Sequence, residues 1–247
     1  MSKIINRRPA DVGKVAALLS HRYSDFAHYN KKNPLDELLF IMLSITTTWP
    51  VYMRTYKALK SRFPRHEDLA IAPIEEIARA IKEGGQYFQK AIALKGVLNA
   101  LILYFGRPTL APLNYLSDSD CEEFLTSLPR IGLKVARCVL MYSLGRKVFP
   151  VDTHCWRISK RLGWVRSHDV RPNSVDELQK LVSPNLRFSI HVNFISLGRE
   201  FCRAKTPICI HCPLACLCPS VDSFAPRIDI IGPTSFKRHG FHGEIKR

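Results

Sequence analysis

The sequence lacks the features of several protein classes. It has no uncharged apolar stretch of about 18 residues, so we expect no membrane span. Its first residues contain no apolar segment of the secretory-signal type, so we expect no secretion. Alternation of apolar and polar residues is nearly absent, which argues against strands. No internal repeat is found.

Acidic residues are few relative to basic ones. The chain has 21 Asp and Glu against 37 Lys and Arg, giving a net charge of +16. Basic side chains release counterions when they neutralise phosphates, so this surplus predicts a nucleic-acid partner. A merely basic protein, or one that touches acidic lipid, is the alternative.

Apolar residues recur at helical spacing along most of the chain. The pattern predicts helices over 11–23, 34–45, 51–63, 73–84, 88–106, 117–128 and 132–144, one after Asp152, and others near 173–183 and 187–202. The fold is therefore predicted to be all-α. Residues 219–247 are interpreted as a loosely ordered basic tail.

Five of the eight cysteines lie between residues 202 and 218, which favours one metal site in a reducing compartment over a disulfide framework. The spacing C-x6-C-x2-C-x5-C uses Cys202, Cys209, Cys212 and Cys218. A single close pair suits an iron–sulfur cluster better than structural zinc, which remains the alternative. Cys216 is left over as loop filler, or as a ligand in place of Cys218.

Two basic residues, Arg203 and Lys205, lie inside the widest of these cysteine spacings. Their side chains could meet DNA phosphates. Alternatively, they could offset the negative charge of the thiolates.

The stretch LPRIGLKVA predicts a tight helical hairpin. Pro129 limits the first helix, and Gly132 is expected to permit a left-handed or close-packed turn. The free backbone amides at the start of the second helix can bind a phosphate. Any helix–turn–helix corner would share these features.

Lys134 falls on the first turn of that second helix, where the helix dipole opposes a cation. If the side chain is buried, both effects should lower the pKa of the amine and make it a nucleophile. A solvent-facing lysine is the alternative.

Asp152, in PVDTH, is a candidate helix N-cap, and amide hydrogen bonds would keep its carboxylate ionised.

Together LPRIGLKVA, PVDTH and the four-cysteine loop resemble the endonuclease III branch of the helix-hairpin-helix DNA glycosylase superfamily, over about residues 30–220. The resemblance implies two helical domains with a DNA groove between them. Residues 27–146 would form a six-helix domain with the hairpin. Residues 1–26 and 147–223 would form a domain holding a [4Fe–4S] cluster, followed by a tail at 224–247.

The resemblance also implies a reaction. A damaged base, expected to be a pyrimidine, would be flipped out of duplex DNA into the groove. Lys134 matches the nucleophile that expels the base, forms a Schiff base and nicks the strand by β-elimination. Asp152 matches the essential aspartate, and the hairpin at Gly132 would hold a phosphate. We expect a monomer, either in a bacterial cytoplasm at the nucleoid or in a nucleus.

The sequence departs from the family at LSITTTWP. Thr46 replaces the glutamine that fills the space left by the flipped base, and Trp49 replaces an aspartate. Either another side chain fills that space, with Trp49 or Arg54 as candidates, or the lesion differs. Trp49 could equally be a core aromatic. Arg130 replaces a glycine of the hairpin and is a candidate phosphate contact.

Three aromatic residues, Tyr87, Phe88 and Tyr142, are interpreted as core, and His154 as a structural residue at a helix start. The Leu197-Gly198 pair stands where the family has His-Gly. The departures leave two alternatives open: a monofunctional glycosylase in which Lys134 only supports binding, and a non-catalytic iron–sulfur protein that binds DNA.

Overall fold

The computed structural model describes residues 8–23, 30–166 and 175–224. In these residues it contains eleven α-helices and no strand, so the all-α prediction is confirmed. In chain order the helices are α1 (Val12–Arg22), α2 (Pro34–Ser44), α3 (Trp49–Arg62), α4 (His66–Ile71), α5 (Ile74–Ala80), α6 (Tyr87–Phe105), α7 (Asp118–Ser127), α8 (Leu133–Leu144), α9 (Thr153–Arg161), α10 (Val175–Leu181) and α11 (Arg187–Glu200).

Side-chain caps determine where several helices begin. The carboxylate of Asp11 accepts the N–H of Lys14 at 2.8 Å, and the hydroxyl of Ser117 accepts the N–H of Asp120 at 3.1 Å. Pro34 stands in the first turn of α2, where its missing N–H leaves no hydrogen bond unmade. These caps satisfy amides that have no partner inside their own helix.

Helix α6 is the longest helix in the described residues and forms the centre of one core. Its length and apolar composition would also suit a membrane span. Here Leu94, Val97, Leu98 and Leu101 are fully buried against other helices. Gly106 ends the helix with a left-handed φ of 71°, which glycine adopts without strain.

Buried apolar residues form two clusters. The first takes residues from α2 to α8 and ends at Val148, whereas the second begins again at Phe149 and combines α9, α10 and α11 with α1. The N-terminal helix thus packs with the C-terminal helices. This is the two-part arrangement implied by the resemblance, although the boundaries at 26 and 146 stay predictions.

Three details differ from the sequence predictions. The helix expected over 73–84 is divided, because α5 ends at Ala80 and a 3-10 turn, Lys82–Gly84, follows. Helix α4 was not predicted, since six residues show no clear periodicity. The start of the expected tail instead contains a 3-10 turn with a buried Val221; residues 225–247 lie outside the described residues.

Candidate active site

A cavity of about 310 Å³ lies where the two apolar clusters meet. Helices α2, α3 and α8 from the first cluster and α11 from the second contribute its walls. Its aromatic residues are Phe40, Trp49, Tyr52 and Tyr142. The volume is at the lower end of the range for small-molecule sites, about 300–1,000 Å³.

Lys134 lines this cavity and is partly buried, so the solvent-facing alternative is wrong. It is the second residue of α8, which begins after Gly132. The expected fall in its pKa is not found. The charge of an ionised Cys138, with a further contribution from Asp152, raises the pKa of Lys134 against the lowering effect of burial. The amine is therefore protonated at neutral pH.

Asp152 is the N-cap of α9, as predicted. Its Oδ1 accepts the N–H of Cys155 at 2.7 Å. Burial raises the pKa of Asp152, but the hydrogen bond from Cys155 and the neighbouring His191 and His154 outweigh burial and hold the pKa below its ordinary value. The carboxylate is ionised and interacts electrostatically with Lys134, although it does not form part of the cavity wall.

His191 fixes the segment that carries Asp152. It is buried in the cavity wall, and its Nδ1 donates to the carbonyl of Pro150 at 2.8 Å. Cys155 lies 3.4 Å from the same nitrogen. Sequence reasoning missed His191 because it stands in an apolar helix with no motif around it.

The sequence did not predict a site role for several other cavity residues. Cys138 stands one helical turn after Lys134, and Arg199 is exposed in the same cavity wall. Glu37 is fully buried and accepts hydrogen bonds from the amide of Lys31 and the side chain of Asn30, both at 2.6 Å. Only the spacing of Lys134 and Cys138 on one helix face could have indicated any of these roles.

The hairpin has its left-handed residue at Arg130 rather than at Gly132. Arg130 is exposed with a φ of 62°, whereas Gly132 has an extended φ of −98°. A Cβ at Gly132 would meet nothing within 4 Å, so close packing does not require glycine there either. Gly132 is exposed at the start of α8, which leaves room for a ligand to approach its backbone.

The unusual residue 46 lies in the loop between α2 and α3, and the unusual residue 49 is the first residue of α3. Thr46 is exposed with a φ of 54°, a strained conformation for a β-branched residue. Trp49 lines the cavity and packs edge-on against Tyr52 at 5.6 Å, so it is not a simple core aromatic. Arg54 does not line the cavity; its Nε donates to the carboxylate of Glu83 at 2.7 Å.

The first two residues of α6 are aromatic, and the structure corrects their interpretation. Tyr87 and Phe88 are exposed, at 39% and 46%, and not part of the core. Tyr142, also expected in the core, lines the cavity. Gln86 precedes the exposed pair and has a left-handed φ of 46°.

The four predicted cysteine ligands line one small cavity beside Phe201 and Arg161. Cys216 is exposed and does not line it. Burial raises the pKa of Cys212 to about 12 and that of Cys218 to about 11. In the described residues no three ligand-type side chains are placed to hold a single metal ion.

Two arginines of α9 hold the backbone of this cysteine loop. Arg161 donates to the carbonyls of Arg203 at 2.8 Å and Ala204 at 3.0 Å. Arg157 donates to the carbonyl of Cys202 at 2.9 Å. The side chains of Arg203 and Lys205 remain exposed and line neither cavity.

Gly198 is required by packing. A Cβ there would overlap Nδ1 of His154 and lie 2.9 Å from Arg157. Arg157 donates to that same nitrogen at 3.0 Å, and burial lowers the pKa of His154. His154 is therefore neutral and packed against α11, in agreement with the structural role predicted for it.

We expect Gly198→Ala to lower the free energy of unfolding by about 1–3 kcal/mol, because the methyl group must displace His154. Gly96→Ala is the matched control: it also lies inside a helix, where a Cβ would be 3.6 Å from Pro129. That change should stabilise the protein by about 0.5–1 kcal/mol. Thermal unfolding measures both, and equal shifts would contradict the packing argument.

Comparisons with known proteins agree with this fold and site. The family model described as HhH-GPD superfamily base excision DNA repair protein matches residues 40–184. The chain is 32% identical over 209 residues to endonuclease III of Bacillus subtilis, covering 83% of this chain and 88% of that one. It is 34% identical over 169 residues to an Arabidopsis thaliana protein whose name describes a DNA glycosylase, covering 68% of this chain and 58% of the relative's length.

A solved non-covalent endonuclease III–DNA complex superimposes with a TM-score of 0.72 at 26% identity, covering 84% of this chain and 93% of the other. The helical fold thus agrees with that of a DNA-bound structure. The chain therefore belongs to the HhH-GPD superfamily of base excision DNA repair proteins, as an endonuclease III-like member.

Proposed function

We propose that the protein is a bifunctional DNA glycosylase and AP lyase that removes a damaged base, of pyrimidine type, from double-stranded DNA. The observation that carries this proposal is the position of Lys134 in the wall of the cavity. A base flipped into the cavity would bring its deoxyribose to the amine. The aromatic walls offer apolar faces for the base.

The reaction follows from the groups around Lys134. The neutral amine attacks C1′, and the glycosidic bond breaks so that the base leaves with the bonding electrons and gains a proton. The sugar ring opens to a Schiff base. Loss of a C2′ proton then expels the 3′ phosphate and nicks the strand. The ionised Asp152 stabilises positive charge on the sugar during these steps.

Several exposed groups are proposed as DNA contacts. Arg130 and the backbone at Gly132 lie beside Lys134 in sequence and would hold phosphates near the reacting sugar. Thr46 lies in the loop before α3, and the partly exposed Trp49 begins α3 and lines the cavity. Arg203 and Lys205 lie on the cysteine loop. The net charge of +16 supports binding to a duplex. We propose that the protein acts as a monomer.

We also propose that Cys202, Cys209, Cys212 and Cys218 hold a [4Fe–4S] cluster. Their thiols line one cavity from which Cys216 is absent. Bound there, the cluster would supply four fixed attachment points for the loop and no chemistry to the sugar. Structural zinc is the competing occupant.

Lys134→Ala should abolish covalent trapping by borohydride on a duplex with one abasic site, since no Schiff base can form. The matched control is Lys180→Ala, an exposed lysine on α10, which should trap like the wild type. Trapping by Lys134→Ala would remove this residue as the nucleophile. Base release by the wild type without nicking would favour a monofunctional glycosylase, and neither activity would favour a DNA-binding role alone.

The rate of trapping should rise with pH. Because Cys138 and Asp152 raise the pKa of Lys134, the reactive neutral amine is a minor form at neutral pH and increases about tenfold per pH unit below that pKa. Asp152, with a lowered pKa, is already ionised over this range. Single-turnover trapping between pH 6 and about 9 tests the slope. A flat profile would contradict a deprotonation-limited attack.

Cys218→Ser should lose iron and visible absorbance, whereas Cys216→Ser should keep both, because only the first residue lines the cysteine cavity. Metal analysis and absorption spectra of the purified variants provide the measurement. The reverse result would make Cys216 the fourth ligand. A colourless wild type that contains zinc would replace the cluster by a zinc site.

A further inference from the structure

Four side chains with a hydroxyl group line the candidate active-site cavity: Ser44, Tyr52, Tyr142 and Ser196. The two serines use their hydroxyls inside their own helices, donating to the carbonyls of Ile41 at 2.7 Å and Val192 at 3.3 Å. Tyr142 packs its ring against that of His191, with 5.8 Å between the centroids. In the part of the chain that the structure describes, the hydroxyl of Tyr52 has no hydrogen-bond partner. Tyr52 therefore presents to the cavity a hydroxyl that the protein itself does not use.

The ring of Tyr52 is held in a row of aromatic side chains. It lies edge-on between the rings of Trp49 and Phe40, with centroid separations of 5.6 and 5.2 Å. Tyr56 continues the row beyond Phe40, again at 5.2 Å. Because the ring of Tyr52 has a neighbour on both sides, the directions open to its hydroxyl are limited.

Three charged residues of the cavity wall act on this phenol: Arg199, Glu37 and Lys134. Burial raises the pKa of Tyr52 above its ordinary value, and Glu37 raises it further, whereas Arg199 and Lys134 oppose the rise without reversing it. The hydroxyl thus keeps its proton at neutral pH and is a hydrogen-bond donor. Since Lys134 lines the same cavity, a nucleotide held at its amine would place its base against this wall.

Other uncharged donors in the cavity wall are already engaged. The side-chain amide of Asn30 donates to Glu37 at 2.6 Å, and the ring of His191 donates to the carbonyl of Pro150 at 2.8 Å. Arg199 is exposed and always charged, which suits a phosphate better than a base. Tyr52 is therefore the neutral donor best placed to meet a base inside the cavity.

A pyrimidine that leaves its sugar creates a need for such a donor. Cleavage of the bond between C1′ and N1 sends the bonding electrons into the base, where N1 and the neighbouring carbonyl oxygen O2 share them. A donor fixed in place beforehand stabilises this developing charge more than it stabilises the bound substrate. Lys134 is occupied in forming the new bond to C1′, and the ionised Asp152 can only accept hydrogen bonds.

We propose that the hydroxyl of Tyr52 donates a hydrogen bond to O2 of the flipped pyrimidine and stabilises the base as it departs. This proposal rests on the proposed function, because it requires that a pyrimidine is released from the cavity. The contact would be shared by every pyrimidine with an intact C2 carbonyl. Tyr52 would then be a catalytic residue for base release alone, since no base remains when the Schiff base undergoes elimination.

The phenol keeps its own proton in this step. The bond from Nζ of Lys134 to C1′ forms while the bond from C1′ to N1 breaks, and the electron pair of the broken bond goes to N1 and O2. The departing base takes a proton from solvent, and the attached amine loses one to solvent. No oxidant, reductant or further reactant is required.

The first test compares Tyr52→Phe with the wild type under single-turnover conditions. The substitution removes the hydroxyl and keeps the ring that packs against Trp49 and Phe40. Base release is measured on duplexes that contain dihydrouracil, 5-hydroxyuracil or uracil, and nicking on a duplex with a preformed abasic site. Tyr52→Phe should release base about 10- to 100-fold more slowly, as expected for loss of one donor to developing charge. It should nick the abasic site at the wild-type rate.

Tyr56→Phe is the matched control. Its ring packs against the same Phe40, but its hydroxyl bonds to Asp36 and it does not line the cavity. This variant should match the wild type in both assays. Thermal unfolding of both variants verifies that each is folded at the assay temperature.

A second measurement identifies the atom that Tyr52 contacts. The base that the wild type releases fastest is replaced by its 2-thio analogue, whose sulfur is a weak hydrogen-bond acceptor. If the hydroxyl donates to O2, the difference between the wild type and Tyr52→Phe should shrink to less than about threefold on the 2-thio base, because little of the hydrogen bond remains to be lost.

The outcomes separate this proposal from the function on which it rests. Unchanged base release by Tyr52→Phe, an equal loss of base release and nicking, or a loss that persists in full on the 2-thio base would each overturn the role of Tyr52 while leaving the glycosylase in place. A wild type that nicks abasic sites but releases none of the three bases would overturn both this role and the pyrimidine glycosylase.

Discussion

The site depends on keeping a lysine partly buried at the N-terminal end of a helix. Both the helix dipole and the loss of solvent oppose the ammonium of Lys134. A thiolate at Cys138 would raise the pKa of the amine most, but burial raises the pKa of that thiol as well. Near neutral pH the charge that offsets this cost is therefore that of Asp152, and Glu37 interacts with the amine too. The amide of Cys155 helps to keep the carboxylate of Asp152 ionised, together with His191 and His154. The N-cap of α9 is therefore part of what stabilises the ammonium of Lys134 at the start of α8.

A second cost lies in the backbone conformation of three loops. Thr46, Gln86 and Arg130 occupy backbone conformations that their side chains disfavour. Lys90 compensates at one point, since its buried ammonium joins the end of α2 to the loops on either side of it through three hydrogen bonds. Burial lowers the pKa of Lys90, because desolvation disfavours its charged form. Lys90 thus connects the loop after α2 with the turn before α6, although it does not line the cavity.

Features of this site that depend on neighbouring residues could be predicted from the sequence. Features that combine residues from several helices could not. The N-cap role of Asp152 follows from residue type and position, and so does the start of α8 after Gly132. The positions of the helices follow from apolar spacing because packing and periodicity agree along the chain. The cavity is different, since α2, α3, α8 and α11 each contribute residues that look ordinary in their own helix. Glu37 shows this well: a glutamate in a first turn suggests a solvated helix start, yet it is fully buried. The predicted direction of the Lys134 pKa shift was wrong for the same reason. The groups that raise this pKa belong to other elements or to the next turn of α8.

The cysteine loop is connected to the same site by hydrogen bonds from α9. Helix α9 begins at Asp152, and further along it Arg157 and Arg161 donate hydrogen bonds to the carbonyls of Cys202, Arg203 and Ala204. Arg157 also contacts His154 and the carbonyl of Gly198, so α9 is fixed to α11 and to the loop by the same side chain. Disorder in the loop would remove these acceptors and loosen the helix that presents the carboxylate to Lys134. A group held by the four cysteines would therefore influence base removal through the position of α9, with no electron transfer required.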